Sequence, residues 1–378
     1  MTPVNMAENL LMRIGPSNIT FLCRSAGPVE TGPALAGIAR LAGADDRFSR
    51  SVRRALNWHF WTDPAPLDLT RHVAILRAPD IVDDTGTAGL MSAVRRMAHA
   101  PGRPRWRALI LNPAGEGDAG PGAVSGVIFH IDHVIADGLR LARLFAAHAE
   151  APGDGSAPAA TPALDQIGPK QIAQAADPAI DADDVGFVTL PLTALRGRGA
   201  AGKIARVLDL GGGLLRDPAL FDPAARRSDF AMVARLVDLR TRSGWLANAA
   251  RMVKVPLDTA DGGATRGMLP RLPVEWEYEI ILRASVLFPD ALLRPLAHAK
   301  FTEADQVVTV VPARARQGRL FGSEISGIYA LPPAIGRPPL ALTATSYGRE
   351  LRFSVIPGEG CLAPAREIAA RFGDLARG

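Results

Sequence analysis

Apolar positions recur along this chain at two periods, and the changes from one to the other mark its elements. Over 127–133 they alternate. Val127, Phe129, Ile131 and His133 fall on one face, and Ile128, His130 and Asp132 on the other. Both faces are mostly apolar, so the spacing predicts a buried central strand. After Gly138 the period lengthens, and Leu141, Leu144, Phe145 and His148 form a stripe at helical spacing. Further strands are expected at 19–26, 71–78 and 105–112, where apolar and β-branched residues gather. Helical periodicity appears at 34–42 and 86–99, and 46–56, DRFSRSVRRAL, reads as a basic helix.

The second half opens on VGFVTLPLTAL and continues with a helix near 200–216, a strand at 231–240 and a helix or loop at 243–255. Strands follow at 275–285, 306–312, 341–346 and 350–356, and a terminal helix at 363–376. Ser346-Tyr347-Gly348-Arg349 lies between the last two strands and reads as a hairpin turn. Residues 151–169, APGDGSAPAATPALDQIGP, are rich in Ala, Pro, Gly and polar residues and read as a linker. The expected organisation is a first unit at 1–150, the linker at 151–169 and a second unit at 170–378. The order of elements is mixed α/β, not a regular βαβ repeat.

Composition narrows the class. With 378 residues, 48% of them hydrophobic, the chain can fill two cores. No apolar run reaches eighteen residues, and the first residues lack a basic start before an apolar stretch, so neither a spanning helix nor a secretory signal is expected. Cys23 and Cys361 are the two cysteines, too few for a disulfide framework or a zinc cluster, and they fit a cytoplasmic setting. His130 and His133 face opposite sides of one strand, so no shared metal is expected. Gly211-Gly212-Gly213 lacks the spaced third glycine of a dinucleotide fingerprint, since Arg216 stands there. The net charge of +5 suits an anionic carrier or an anionic membrane face. The basic residues are dispersed, with no nucleic-acid-binding pattern, so no nucleic acid is expected as a partner.

The chemistry concentrates in SGVIFHIDHVIADGLRL, which holds His133-x-x-x-Asp137-Gly138. That spacing joins a proton acceptor at neutral pH, a carboxylate and a residue with free backbone angles. It places His133 at the end of a buried strand, Asp137 in the turn and Gly138 at the start of a helix, where a rigid scaffold can aim a side chain into a cleft. Taken alone, the same residues also fit a core histidine followed by a helix-capping aspartate.

The chain resembles the acyltransferase superfamily that shares an H-x-x-x-D-G signature, and most of all the bacterial wax ester synthase/diacylglycerol acyltransferases. Trp61, Asp63, Pro64, Leu67, Asp68 and His72 resemble that group's W-x-x-D-x-x-F-D-l-x-x-H segment. PGRPRWRALIL resembles its R-P-L-W segment, LVDLR at 236–240 its V-P-V-S-L-R strand, and TATSYGRELRFSV its S-Y-x-G-x-L-x-F strand pair. Asn248 follows where the group has its Gly-Asn. The V-D-L-R form is closer to polyketide-associated acyltransferases, and Asp132 stands where wax ester synthases carry the first of two adjacent histidines.

The resemblance implies two chloramphenicol-acetyltransferase-like subdomains, each a mixed sheet with helices, with a tunnel at their interface. It implies a fatty acyl transfer from acyl-CoA to an alcohol or diacylglycerol, with His133 as general base and no covalent intermediate, no metal and no cofactor beyond the acyl-CoA co-substrate. Asp137 would pair with an arginine, for which Arg240 is the candidate, and Gly138 would let the turn close. Ser346 or a backbone N–H would meet the oxyanion. The alternative donor is an acyl carrier protein, and a non-catalytic scaffold with the same fold is the third reading. Ser243 to Val255, with Trp245, Leu246, Ala249, Met252 and Val253 on one helical face, would pack on the body or touch the inner membrane face or a lipid droplet.

Overall fold

A seven-stranded sheet and a six-stranded sheet, each with helices packed on it, carry the two largest cores. The computed structural model describes the chain apart from residues 1, 16, 79–80, 113–122, 150–161, 177–183, 196–198, 226–229, 237–249, 257–284, 313–317 and 334–335. The first half runs β1 (Thr2–Pro3), α1 (Met6–Ile14), β2 (Asn18–Ser25), α2 (Thr31–Gly43), β3 (Val52–Ala55), β4 (Trp58–Trp61), β5 (Val73–Arg77), α3 (Asp84–Arg95), β6 (Trp106–Asn112), β7 (Gly126–Asp132) and α4 (Gly138–His148). Next come β8 (Asp165–Ile167), α5 (Pro169–Gln174), β9 (Gly186–Pro191), α6 (Gly199–Leu215), β10 (Phe230–Leu236) and β11 (Ala250–Pro256). The last part holds α7 (Asp290–Thr302), β12 (Gln306–Pro312), β13 (Arg319–Leu320), β14 (Ser323–Leu331), β15 (Leu340–Tyr347), β16 (Glu350–Pro357) and α8 (Ala365–Arg377).

The first sheet has the order β13-β14-β2-β7-β6-β5-β8 and the second β11-β10-β12-β15-β16-β9. β7 is central and buried along its whole length, as its two apolar faces predict. Val127, Phe129 and Ile131 enter the core beneath α2 and α4. Ile128 enters a second core shared with α3 and with Val185 and Ile356 of the other half. β14 is supplied by the second half yet pairs antiparallel with β2, Tyr329 opposite Leu22. The two halves are therefore joined by a shared sheet as well as by side-chain packing.

Several expectations are corrected. The stretch 46–56 is not a helix. Asp45 caps a short 3-10 turn at Asp46–Ser49, Phe48 drops into the core, and Val52–Ala55 forms a hairpin with Trp58–Trp61. Period-two pairing with an aromatic strand outweighs the helix propensity of the arginines. Of 243–255, residues 243–249, including Trp245, lie outside the described residues. The remainder is strand β11, antiparallel to β10, because Val253 and Val255 suit an extended edge. Of the expected linker, 151–161 lie outside the described residues, and Asp165–Ile167 pairs parallel with β5. Of the strand expected at 275–285, 275–284 lie outside the described residues and Ser285 stands in a turn. The β15–β16 hairpin is as expected, with Gly348 at φ 59° in its two-residue turn, where a side chain would be strained.

Candidate active site

β7 ends at Asp132, and the residues that follow, His133 to Gly138, form the candidate site. Asp132 is fully buried, and both its oxygens are occupied. Oδ1 accepts from Ser17 Oγ at 2.6 Å and from Val134 N at 3.0 Å, and Oδ2 accepts from Arg105 Nε. Ile135 N donates to Asp132 O at 2.9 Å and closes the turn, while His133 N donates to Ser17 O at 2.8 Å. Val134, Ile135 and Ala136 are all buried. His133 therefore stands on a turn pinned at its start by a carboxylate and along its length by core packing. Asp132 is a structural anchor here, where the family resemblance placed the first of two adjacent histidines.

Asp137 caps α4. Its side chain accepts from Arg140 N at 2.7 Å, which holds the helix start against the turn. Arg240, its expected partner, lies outside the described residues, as does Asn248. Arg140 in turn donates through Nε to Asp45 at 2.6 Å, so the first turn of α4 is tied to the cap of the 3-10 turn. Gly138 is required by proximity rather than by φ. A Cβ there would stand 3.1 Å from Val311 Cγ2, on β12 of the second sheet. The His133 turn thus sits where the first half meets the second.

Ser346 lies near that meeting point but on the other face. Val311 is in register with Thr345, whose hydroxyl donates to Ile328 O on the first sheet. Alternation turns Ser346 the opposite way, with Leu342 and Ala344, which belong to the second core. Tyr347 reaches the first core, and its hydroxyl lies 3.2 Å from Gly318 N as acceptor.

The remaining histidines of this region are structural. His130 accepts from Thr20 Oγ1 at 3.1 Å and donates to Met97 O at 2.9 Å. It stacks on His99, and burial lowers its pKa to about 4. His72 stacks on Trp106 and its Nδ1 lies 3.0 Å from Trp106 O, while Asp68 caps the turn before it. By contrast, His133 Nδ1 is buried with no hydrogen-bond partner. Sequence reasoning missed Glu8, Ser17, Arg47 and Val311. Each comes from a distant segment, and no local pattern marks it. Among the described residues no group of His, Cys, Asp and Glu could hold a metal ion.

A family model describes part of this arrangement: residues 276–374 match the WS/DGAT C-terminal domain. The matched stretch includes Val311 and Ser346, while His133 and Asp137 precede it. The whole chain has the two-subdomain α/β fold of solved acyl-transferring proteins. It is similar to the wax ester synthase/diacylglycerol acyltransferase from Marinobacter aquaeolei VT8, at 18% identity and a TM-score of 0.62, with 99% of this chain and 98% of that one covered. It is also similar to the first condensation domain of the calcium-dependent antibiotic synthetase, at 13% identity and a TM-score of 0.58, covering 98% and 94%. A substituted starter condensation domain of rhizomide synthetase, in complex with C8-CoA and Leu-SNAC, matches at 13% identity and a TM-score of 0.56, covering 100% and 93%. No curated protein is similar in sequence at a significant level. The WS/DGAT domain marks the chain as an acyltransferase.

Proposed function

We propose that this acyltransferase moves a fatty acyl group from coenzyme A onto an alcohol or diacylglycerol, with His133 as general base. The observation that carries the proposal is the setting of His133, on a pinned turn at the end of a buried strand and at the junction of the two halves. His133 Nε2 takes the proton of the acceptor hydroxyl as the hydroxyl oxygen bonds to the thioester carbonyl carbon. The carbonyl π electrons move onto oxygen. When the tetrahedral adduct collapses, the C–S bond breaks and the thiolate takes the proton from the imidazolium. The products are an ester and free coenzyme A, and no acyl-enzyme is needed. Cys23 is buried with its thiol pushed well above its usual range, which suits it poorly as a nucleophile. Asp137 and Gly138 hold the helix start against β12, and the tunnel for both substrates would run between the halves.

The second reading, a carrier-protein donor, is favoured by the likeness to condensation domains. A peripheral contact with the inner membrane face or a lipid droplet belongs to the first. It is supported by exposed apolar side chains in and just before α7, Leu287, Leu292 and Leu296. Among the described residues no helix is long and apolar enough to cross a membrane.

The test is thiol release from palmitoyl-CoA with and without a long-chain alcohol, for wild type and His133→Ala. Alcohol-dependent release that vanishes in the variant is expected. Release from a carrier-bound thioester alone would favour the second reading, and equal release from both proteins would overturn the role of His133.

A further inference from the structure

The N-terminal helix brings a carboxylate to the turn that carries His133. Asn5 caps α1 by accepting from Glu8 N at 2.9 Å, and the Glu8 side chain turns inward, leaving the residue 8% exposed. Its Oε1 accepts from Arg47 Nη1 at 2.8 Å. The same Nη1 donates to Val134 O at 3.0 Å, so one guanidinium links Glu8 to the residue directly after His133. The Trp61 ring lies 5.4 Å from the Arg47 guanidinium carbon and fixes it from the other side.

Two buried atoms on either side of this link have no hydrogen-bond partner: Glu8 Oε2 and His133 Nδ1. Buried polar atoms are seldom left unpaired, because each costs stability. One of these is an acceptor and the other is a donor in the tautomer that leaves Nε2 free to act as base. The other buried carboxylates near the turn are already engaged. Asp132 is held by Ser17, Val134 and Arg105, and Asp45 by Arg47 N and Arg140. Asp137 caps α4.

We propose that Glu8 is a positioning residue for His133. Its free oxygen would accept the Nδ1–H, hold the tautomer that leaves Nε2 as base, and steady the ring when it becomes a cation. This rests on His133 being the base. When Nε2 takes the acceptor's proton, the positive charge forms inside a partly dry site, where a fixed carboxylate counts for more than in water. The proton stays on the imidazole until the leaving thiolate takes it, and Glu8 neither gains nor gives one. Burial pushes the Glu8 carboxyl towards its protonated form, while Arg47 and the charge of His133 pull it back. Burial is the larger effect, and Arg47 is the main group opposing it.

The experiment uses the full chain as wild type, Glu8→Gln and Glu8→Asp. The His133 imidazole is titrated by NMR, and kcat and KM are followed against pH with palmitoyl-CoA and a long-chain alcohol. In Glu8→Gln, kcat is expected to fall at least about tenfold with KM nearly unchanged. The acid limb of the rate profile and the His133 midpoint should both move about one unit to lower pH. Glu8→Asp should recover part of each change. If Glu8→Gln fails to fold, the Glu8→Asp midpoint alone carries the test, with a smaller shift in the same direction. A His133 midpoint that is the same in wild type and in the folded variants overturns the proposal. The titration needs no turnover, so a wild type inactive on every thioester would sink the acyl-transfer reading while the role of Glu8 was still being measured.

Discussion

His130 lies on β7, three residues before His133 on the turn that follows, and offers a sharp test of how the two histidines differ. Its ring lies in the core on the α3 side, with both nitrogens engaged and His99 stacked on it at 4.6 Å. Burial lowers its pKa from 6.5 to about 4. An unfolded chain protonates this histidine below about 6.5, while the folded chain resists until about 4. Within that window the unfolded state binds more protons, so stability rises with pH. The contribution is whole above the unfolded value, shrinks as the pH falls through the window, and is gone near 4. At about 1.4 kcal/mol per pH unit the full interval is worth about 3 kcal/mol, of which about 2 kcal/mol is lost between pH 7.5 and pH 5.

His59, His72 and His99 are also shifted down by burial and steepen the overall slope. A difference measurement isolates His130. Urea unfolding, followed by tryptophan fluorescence at pH 7.5 and pH 5, is compared between wild type and His130→Gln. The variant should be less stable at pH 7.5, since it loses the Thr20 and Met97 partners, yet lose about 2 kcal/mol less than wild type on acidification. An equal loss in both proteins would mean that His130 is not held neutral by its core, and the assignment of the strand's two faces would fail with it.

Gly138→Ala should lower kcat about tenfold, because its Cβ would stand 3.1 Å from Val311 Cγ2 and push the helix start off β12. Adding Val311→Ala should restore most of the loss, and kinetics showing no such coupling would argue against the contact. Gly327→Ala should cost about 1–3 kcal/mol in a denaturation experiment, since its Cβ would overlap the Arg352 guanidinium, which is paired with Glu350 at 2.7 Å and lies over Tyr329. Leu292→Asp with Leu296→Asp should weaken co-sedimentation with anionic vesicles at least about tenfold and leave turnover of a soluble short-chain thioester unchanged. Vesicle binding that persists in the double variant would place any lipid contact elsewhere.

The parts of this fold legible in the sequence are those written in local period. Val127 to Asp132 alternates between two apolar faces and is central in the sheet, and Leu141 and Phe145 sit at helical spacing and bury one face of α4. The segments that misled are those where local preference met a partner strand. Arg53 and Arg54 favour a helix, but the aromatic strand Trp58–Trp61 draws them into a hairpin. Val253 and Val255 sit in a stretch with a helical stripe, yet pair with β10. The surroundings of the site were illegible for a different reason. Ser17 and Arg47 hold the His133 turn, Glu8 holds Arg47, and Val311 approaches Gly138, all from distant segments, and their spacing along the chain says nothing about that.

The same strand shows what the motif could and could not convey. His130 lies within β7, and His133 follows it by three residues, on the turn just past the strand's end. That spacing is enough to give the two histidines different surroundings. It does not say which of them is structural and which is the candidate base. The nitrogens differ: His130 engages both, with Thr20 and Met97, whereas His133 keeps a buried Nδ1 without a partner. His130, fully buried with both nitrogens engaged, is held still and kept neutral by burial. That difference supports His133, rather than His130, as the proposed base.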